Sequence, residues 1–162
     1  MKTLEQAALS YRNKMTNPII FWLAMLMKLP TAIFWKLRIK KLEMESCEVT
    51  IPYFWRSKNP FKSIYFAALA GAAELSTGAL CQLALAGKGS FSMLVVDFRA
   101  EYFKKANTKI TFTCDQGTAL FDLIDKMEKG ATDQLTMIST GKNTSGETVA
   151  KFYITWSFKR KS

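Results

Sequence analysis

The long apolar segment at residues 61–86 constrains the fold more than any other feature of this chain. It has the composition of a helix, is apolar on nearly every face, and between residues 65 and 79 is crowded with Ala, Gly, Ser and Thr. A helix that is apolar all round is buried all round. At about 1.5 Å per residue, ~25 residues form a rod of roughly 37 Å. The segment therefore predicts a central helix around which the rest of the chain is wrapped.

Two features refine this prediction. Glu74 lies near the middle of the segment, and a lone carboxylate there argues against a lipid environment and for a protein interior that uses it. Gly87 and Gly89 follow the segment and predict that the helix ends there.

Hydrophobic periodicity predicts strands around this helix. The last strand is the clearest, because apolar residues alternate with polar ones from Ala150 to Phe158. In chain order, the patterns predict helices over 3–16 and 18–29, a strand over 47–53, the long helix over 61–86, strands over 92–103 and 109–114, a surface helix over 118–129, and strands over 135–139 and 150–158. Strands joined by short turns are antiparallel. We therefore expect an α+β fold, in which one curved antiparallel sheet wraps the central helix and a second copy of the chain covers what the sheet leaves open.

Composition excludes several classes of protein. The chain has 162 residues, enough for one domain, and 49% of them are hydrophobic, which rules out a disordered chain. It carries 23 Lys and Arg against 13 Asp and Glu, and the net charge of +10 favours anionic partners. It contains no His, which excludes Ser-His-Asp triads, Cys-His dyads and imidazole metal ligands. We expect no nucleic-acid partner, because the positive charge is spread out and no reading motif appears.

The cysteines predict core filling rather than a metal site. Cys47, Cys81 and Cys114 are far apart and lie in apolar contexts, whereas zinc needs clustered ligands. Unpaired cysteines of this kind are typical of a reducing compartment. The first residues contain no apolar segment of the type that secretory signals have. We therefore expect a cytoplasmic protein without a metal ion.

The apolar run at residues 19–27 leaves two interpretations open. It is interrupted by Lys28 and Pro30, and it is too short for a membrane-spanning helix, which needs about 20 apolar residues. One interpretation is a helix packed on the body of the protein or in an oligomer interface. The alternative is a helix lying on a membrane surface, carrying Trp22, Trp35 and flanking lysines.

Two stretches resemble a known family. Residues 59–69, continued through Glu74 and Gly78, and residues 95–106 resemble the loop, central helix and following strand of hotdog-fold acyl-CoA thioesterases. The similarity looks closest to a bacterial hotdog subgroup of unknown function. It implies one hotdog domain over 1–162, with an N-terminal helical extension over 1–36 and the hotdog core over 37–160. It also implies a homodimer or homotetramer, because relatives build the site from two subunits.

The resemblance implies roles for individual residues. Relatives carry an Asn before the central helix and an acid fifteen residues later, and Asn59 and Glu74 keep that spacing. Asn59 would position the thioester or water, and Glu74 would act as general base or nucleophile. Backbone N–H groups of Phe66 and Ala67 would polarise the thioester carbonyl. The implied substrate-binding residues are Ser63, Tyr65, Lys104 and Lys105, the two lysines attracting the phosphates of coenzyme A. No cofactor is implied beyond the coenzyme A of the substrate.

Physical chemistry supports this machinery independently of the family. The first N–H groups of a helix lack intrahelical acceptors and lie at the positive end of its dipole, so they stabilise an oxyanion without a histidine. A carboxylate in an apolar helix has a raised pKa unless a donor or cation compensates, and such a group can serve as a base.

Each of these residues also has a purely structural interpretation. Asn59 before Pro60 resembles a helix N-cap with proline at the first helical position. Glu74 could pair with Arg56 or Lys58 across an interface. Ser76 and Thr77 are expected to bond back to the helix backbone. In the same way, Tyr65 could be core or pocket wall, and Lys104 and Lys105 a solvated turn.

Two functions follow from these readings. The first is a hydrolase acting on an acyl-CoA or another acyl thioester. The alternative is a non-catalytic binder of acyl-CoA or lipid, since many relatives have glycines where this chain has Tyr65, Phe66 and Ala67.

Overall fold

The computed structural model of the chain describes residues 5–161. Its helices are α1 (Gln6–Thr16), α2 (Pro18–Lys28), α3 (Pro30–Phe34), α4 (Phe66–Leu85) and α5 (Gly117–Lys126). Its strands are β1 (Arg38–Leu42), β2 (Cys47–Ile51), β3 (Phe91–Tyr102), β4 (Ile110–Cys114), β5 (Thr132–Lys142) and β6 (Thr148–Arg160). The structure contains every element that the sequence predicts, in the predicted order, and two that it does not predict, α3 and β1. The first predicted helix begins at residue 3, outside the described residues.

One antiparallel sheet wraps one long helix, as the sequence predicts. Over residues 5–161, six strands are ordered β1-β2-β4-β5-β6-β3, and every neighbouring pair is antiparallel. The long strands β3, β5 and β6 form one half of the sheet, and β3 lies at its edge. Along β6 the alternating apolar residues are buried, as predicted: Ala150, Phe152, Ile154, Trp156 and Phe158.

The central helix α4 is enclosed because its side chains are small. It packs against β2, β4, β5 and α5, and Ala68, Ala72, Ala73 and Ala84 are fully buried. Among the described residues, α4 is the one helix long and apolar enough to cross a membrane, but 72% of its most apolar window is buried in the protein. It is a core helix.

The helix begins five residues later than the sequence suggests. Residues 57–65 form a loop closed by a bridge between Lys58 and Ile64, and Lys62 adopts a left-handed backbone with φ 58°. Tyr65, in extended conformation, takes the N-cap position. The interpretation of Asn59 as the cap of this helix is therefore wrong, because Asn59 closes the preceding loop instead.

Helices α1 and α2 pack on the core rather than extending from it. Asn17 caps α2, accepting hydrogen bonds from the N–H groups of Ile19 and Ile20, and Pro18 occupies the first helical position. Helix α1 contacts β1, α2 and α4, and α2 contacts α1 and α3. On the core side of α2, Phe21 and Met25 are buried, one turn apart.

Two element boundaries differ from the prediction for packing reasons. The predicted strand over 135–139 continues to Lys142 as β5, and the ring of Phe112 packs so closely on Gly141 that a Cβ there would lie 2.5 Å from it. Helix α5 ends at Lys126 rather than running to residue 129, and Met127 is buried beyond it.

The three cysteines fill the core, as expected. All are buried and free, and burial raises the pKa of each thiol, that of Cys114 to about 11. Among residues 5–161, no three Cys, Asp or Glu side chains gather as a metal ion would require.

Candidate functional site

Two cavities flank the central helix. The helix-start cavity has a volume of about 640 Å³ and lies where α4 begins. The glutamate cavity has a volume of about 700 Å³ and lies between α4, α1 and α2. The helix-start cavity is lined by Asn59, Pro60, Phe61, Ser63, Ile64, Tyr65, Phe66, Leu69, Tyr102, Phe103, Lys104, Lys105 and Ala106.

Asn59 organises the wall of the helix-start cavity. Its Oδ1 accepts hydrogen bonds from the N–H groups of Phe61 (3.0 Å) and Ser63 (3.2 Å), and its Nδ2 donates to the Ser63 Oγ (3.1 Å). The Asn59 N–H donates to the Ser63 carbonyl (2.8 Å). These bonds hold the loop in one shape, so that Asn59 and Ser63 face the cavity together.

The start of α4 presents free N–H groups. The N–H groups of Ala68 and Leu69 both donate to the Tyr65 carbonyl (3.0 and 3.1 Å). Within residues 5–161, the N–H groups of Phe66 and Ala67 have no acceptor. These are the two groups that the family resemblance implies for polarising the thioester carbonyl. Phe66 itself lines the helix-start cavity, whereas Ala67 lines neither cavity.

Two lysines stand at the rim of the same cavity. Both are exposed. Lys104 forms an ion pair with Glu147, and the Lys105 Nζ donates to the carbonyl of Phe61 at 3.4 Å. Both ammonium groups are therefore held beside the cavity. The charge of Lys104 is partly offset by Glu147.

Glu74 lies in the other cavity, on the α4 face toward α1 and α2. Burial raises the pKa of its carboxyl above the usual value. Over residues 5–161, no hydrogen bond or ion pair reaches this carboxylate, so neither Arg56 nor Lys58 compensates it within the chain. Gly78, one turn later, leaves room for it: a Cβ on Gly78 would lie 3.2 Å from the Glu74 Oε1.

The polar residues next to Glu74 are structural. The Ser76 hydroxyl donates to the Ala73 carbonyl (2.7 Å) and contacts the Ser139 hydroxyl (2.7 Å). The Thr77 hydroxyl donates to the Glu74 carbonyl (3.0 Å) and accepts from the Trp156 Nε1 (2.9 Å). The prediction that Ser76 and Thr77 bond back to the helix is confirmed.

One chain does not bring Glu74 to the free N–H groups. The two cavities share no lining residue. Glu74 lies eight residues after Phe66, about 12 Å along the helix axis at 1.5 Å per residue. A general base must lie within hydrogen-bond reach of its substrate. Glu74 thus lies apart from the other predicted site residues. Six of these share the helix-start cavity, namely Asn59, Ser63, Tyr65, Phe66, Lys104 and Lys105.

Sequence reasoning missed one wall of the glutamate cavity. Tyr11 and Lys14 of α1 and Met25 and Lys28 of α2 line it together with Glu74. Burial raises the pKa of Tyr11. The spacing of Tyr11, Lys14 and Met15 along one helical face could have indicated a wall, but no local signal says which carboxylate it covers.

A family match identifies the chain. A family model described as "Domain of unknown function (DUF4442)" matches residues 18–158. The chain belongs to this family. The match includes α2 and α3, so these helices are part of the DUF4442 domain itself. No curated protein compared with this DUF4442 chain matches it.

Solved structures show that the fold of this DUF4442 protein is the hotdog fold. A Pseudomonas aeruginosa protein of unknown function has 18% identity over 90% of this chain and 98% of its own, with a TM-score of 0.72. A Haemophilus influenzae thioesterase has 14% identity over 85% and 88%, with a TM-score of 0.66. A Staphylococcus aureus thioesterase variant has 16% identity over 80% and 98%, with a TM-score of 0.64. The resemblance noted in the sequence is therefore confirmed at the level of the fold.

Proposed function

We propose that this protein hydrolyses acyl thioesters, with acyl-CoA as the substrate class, at sites completed by two copies of the chain. The helix-start cavity would hold the thioester, and Glu74 of the second copy would activate water. The free N–H groups of Phe66 and Ala67, at the positive end of the α4 dipole, supply what an oxyanion needs.

The position of β3 is the observation that carries this proposal. Met93, near its start, lines the glutamate cavity, and Tyr102, its last residue, lines the helix-start cavity. β3 is an edge strand that exposes Leu94 and Val96, and such edges pair readily with another chain. When two copies of β3 pair antiparallel about a two-fold axis, the Met93 end of one lies opposite the Tyr102 end of the other. The glutamate cavity of one copy then adjoins the helix-start cavity of its partner.

A thioesterase of known structure keeps a related spacing. The Staphylococcus aureus protein was solved as a glutamine-to-alanine and as a glutamate-to-alanine variant, at positions 15 residues apart. Asn59 and Glu74 are separated by the same number of residues. This spacing supports treating the two residues as one functional pair.

The reaction needs only the two chains, the thioester and one water molecule. Glu74 takes a proton from water as the water oxygen attacks the thioester carbon, and the carbonyl electron pair moves onto oxygen. The N–H groups of Phe66 and Ala67 donate hydrogen bonds to that oxyanion. As the intermediate collapses, the C–S bond breaks, and the sulfur leaves with the electron pair and takes the proton from Glu74. The products are a carboxylic acid and the coenzyme A thiol.

The remaining cavity residues would bind the substrate. Lys104 and Lys105 at the rim would attract the coenzyme A phosphates. Ser63 and Tyr65, which face the cavity, would contact the segment next to the thioester. No separate cofactor is proposed, because coenzyme A arrives as part of the substrate.

A thiol-release assay with acyl-CoA substrates from acetyl to palmitoyl tests the proposal. The thiols of the protein itself are expected to add little background signal to this assay, because all three are buried and poorly ionised. Glu74→Gln should reduce kcat/KM by about 10²–10⁴-fold, the usual contribution of a general base. Glu128→Gln, on an exposed side chain, is the matched control and should leave turnover unchanged. Unchanged turnover in folded Glu74→Gln would contradict the assigned mechanism.

A second function is favoured by one feature of the cavity. Tyr65 and Phe66 pack together at the helix start, with ring centroids 4.9 Å apart, and both are exposed to the cavity side. Such bulk suits a non-catalytic acyl-CoA or lipid binder. That function predicts saturable binding of acyl-CoA, measured by calorimetry, with no thiol release. Hydrolysis that depends on Glu74 would reject it.

A further inference from the structure

Helix α2 exposes an apolar face that the chain leaves uncovered. Only Phe21 and Met25 of this helix are buried. Leu23 is 55% exposed and Met27 is 88% exposed. The exposed large apolar side chains of the helix are Ile19, Ile20, Trp22, Leu23, Leu26 and Met27.

These side chains form one continuous surface. At about 100° per residue, the arc from Trp22 round to Ile20 spans about 160° of the helix circumference and contains no polar residue. Leu29 and Phe34, just beyond the helix, are exposed as well. Contiguous apolar surface of this kind on a folded protein marks an interaction site.

Positive charge is concentrated in the part of the chain that carries this surface. The first 41 residues contain eight Lys and Arg and a single acidic residue, Glu5, so they carry seven of the ten surplus charges. Lys14 and Lys28 line the glutamate cavity together with residues of the C-terminal half of α2. Arg38 and Lys40 line a smaller cavity at its N-terminal half, together with Pro18 and Phe21. Cations therefore lie near both ends of α2.

We propose that α2 lies in the plane of an anionic lipid surface, with its apolar face in the headgroup and acyl boundary. Its 11 residues are too few to span a bilayer. An exposed apolar arc that includes a Trp, on a helix with cations near both ends, is the pattern of helices that lie in the membrane interface. A second copy of the chain is a poorer occupant, because a two-fold contact through α2 would bring the cations near its ends in both copies together.

This lipid surface would also adjoin the glutamate cavity. Ala24, Met25, Lys28 and Leu29 line that cavity, so its mouth would open beside the membrane. The proposal does not depend on hydrolysis: lipid binding and thioester turnover are separate measurements, and either can fail alone.

Vesicle flotation with the full chain tests this assignment. Wild type should float with vesicles of equimolar phosphatidylcholine and phosphatidylglycerol, should bind pure phosphatidylcholine much less, and should be released by salt. The double variant L23E/M27E adds two carboxylates to the exposed face and should lower the bound fraction by about tenfold or more. The double variant T118E/A119E makes the same charge change on exposed positions of α5 and should bind like wild type.

Each other outcome overturns the assignment. Absence of flotation with both vesicle types would show that α2 does not bind lipid. Equal binding to both vesicle types would show that α2 does not prefer an anionic lipid surface. A halved molecular mass of L23E/M27E in solution, without vesicle binding by wild type, would show that a second copy covers the face. Circular dichroism confirms that each variant is folded before any of these results is read.

Discussion

The environment of the Glu74 carboxylate is unusual for a stable protein. It lies in a mainly apolar cavity wall, and no cation or hydrogen-bond donor compensates it within residues 5–161. Burial of a charged group without a partner costs stability. A residue of this kind is typical of functional sites, and the room that Gly78 leaves beside its Oε1 fits the same interpretation.

The unfolding temperature of Glu74→Gln should depend on pH in a defined direction. Burial raises the pKa of Glu74 in the folded protein, so the folded state holds this proton more tightly than the unfolded state. The stabilising contribution is present at low pH and is lost as the pH rises through the raised pKa. Glu74→Gln, neutral at every pH, should therefore unfold at a higher temperature than wild type near about pH 8, with the difference vanishing toward about pH 4.

Calorimetric or fluorescence melting measures this difference. Each 1 kcal/mol would raise Tm by roughly 2–4 °C for a domain of this size. Glu128→Gln should show no such trend, because its side chain is exposed. A lower Tm for Glu74→Gln at high pH would show that the carboxylate has a compensating partner.

At the scale of elements, the sequence predicts the kind of structure better than its ends. The all-apolar stretch identifies α4, and alternation identifies β6, because both patterns follow from burial. The start of α4 is missed because the loop around Asn59 is closed by side-chain hydrogen bonds that hydrophobic periodicity does not record. β5 extends beyond its predicted end because Gly141 receives the Phe112 ring, a contact between distant residues.

The enclosure of α4 predicts that its small residues cannot be enlarged. Ala72 is fully buried, so Ala72→Leu must displace neighbouring side chains and should cost about 1–3 kcal/mol or more in the free energy of unfolding. Urea denaturation measures this. Ala119→Leu, exposed on α5, should change it by less than about 0.5 kcal/mol. If both variants were equally stable, α4 would not be enclosed as described.

For the whole molecule, the sequence predicts which residues matter but not how they meet. Six of the predicted residues share the helix-start cavity because one loop and the end of β3 bring them there. Glu74 belongs to another cavity, walled by α1 and α2. Periodicity cannot reveal this division, since it depends on how the N-terminal helices pack. Under the proposed function, each chain would carry two half-sites that only an assembly of two copies could join.

Mixing two inactive variants tests that assembly directly. Glu74→Gln lacks the base and Asn59→Ala lacks the organised cavity wall, so each should be inactive as a pure dimer. In a mixed dimer, the intact Glu74 of one copy meets the intact Asn59 of the other, and one of the two sites is complete. After random exchange half of the dimers are mixed, so activity should recover to about a quarter of wild type. Thiol release after unfolding and refolding the two variants together measures this.

The same variants refolded separately and then combined without exchange should remain inactive. No recovery in mixed dimers of confirmed composition would show that Glu74 and Asn59 do not act across the β3 interface.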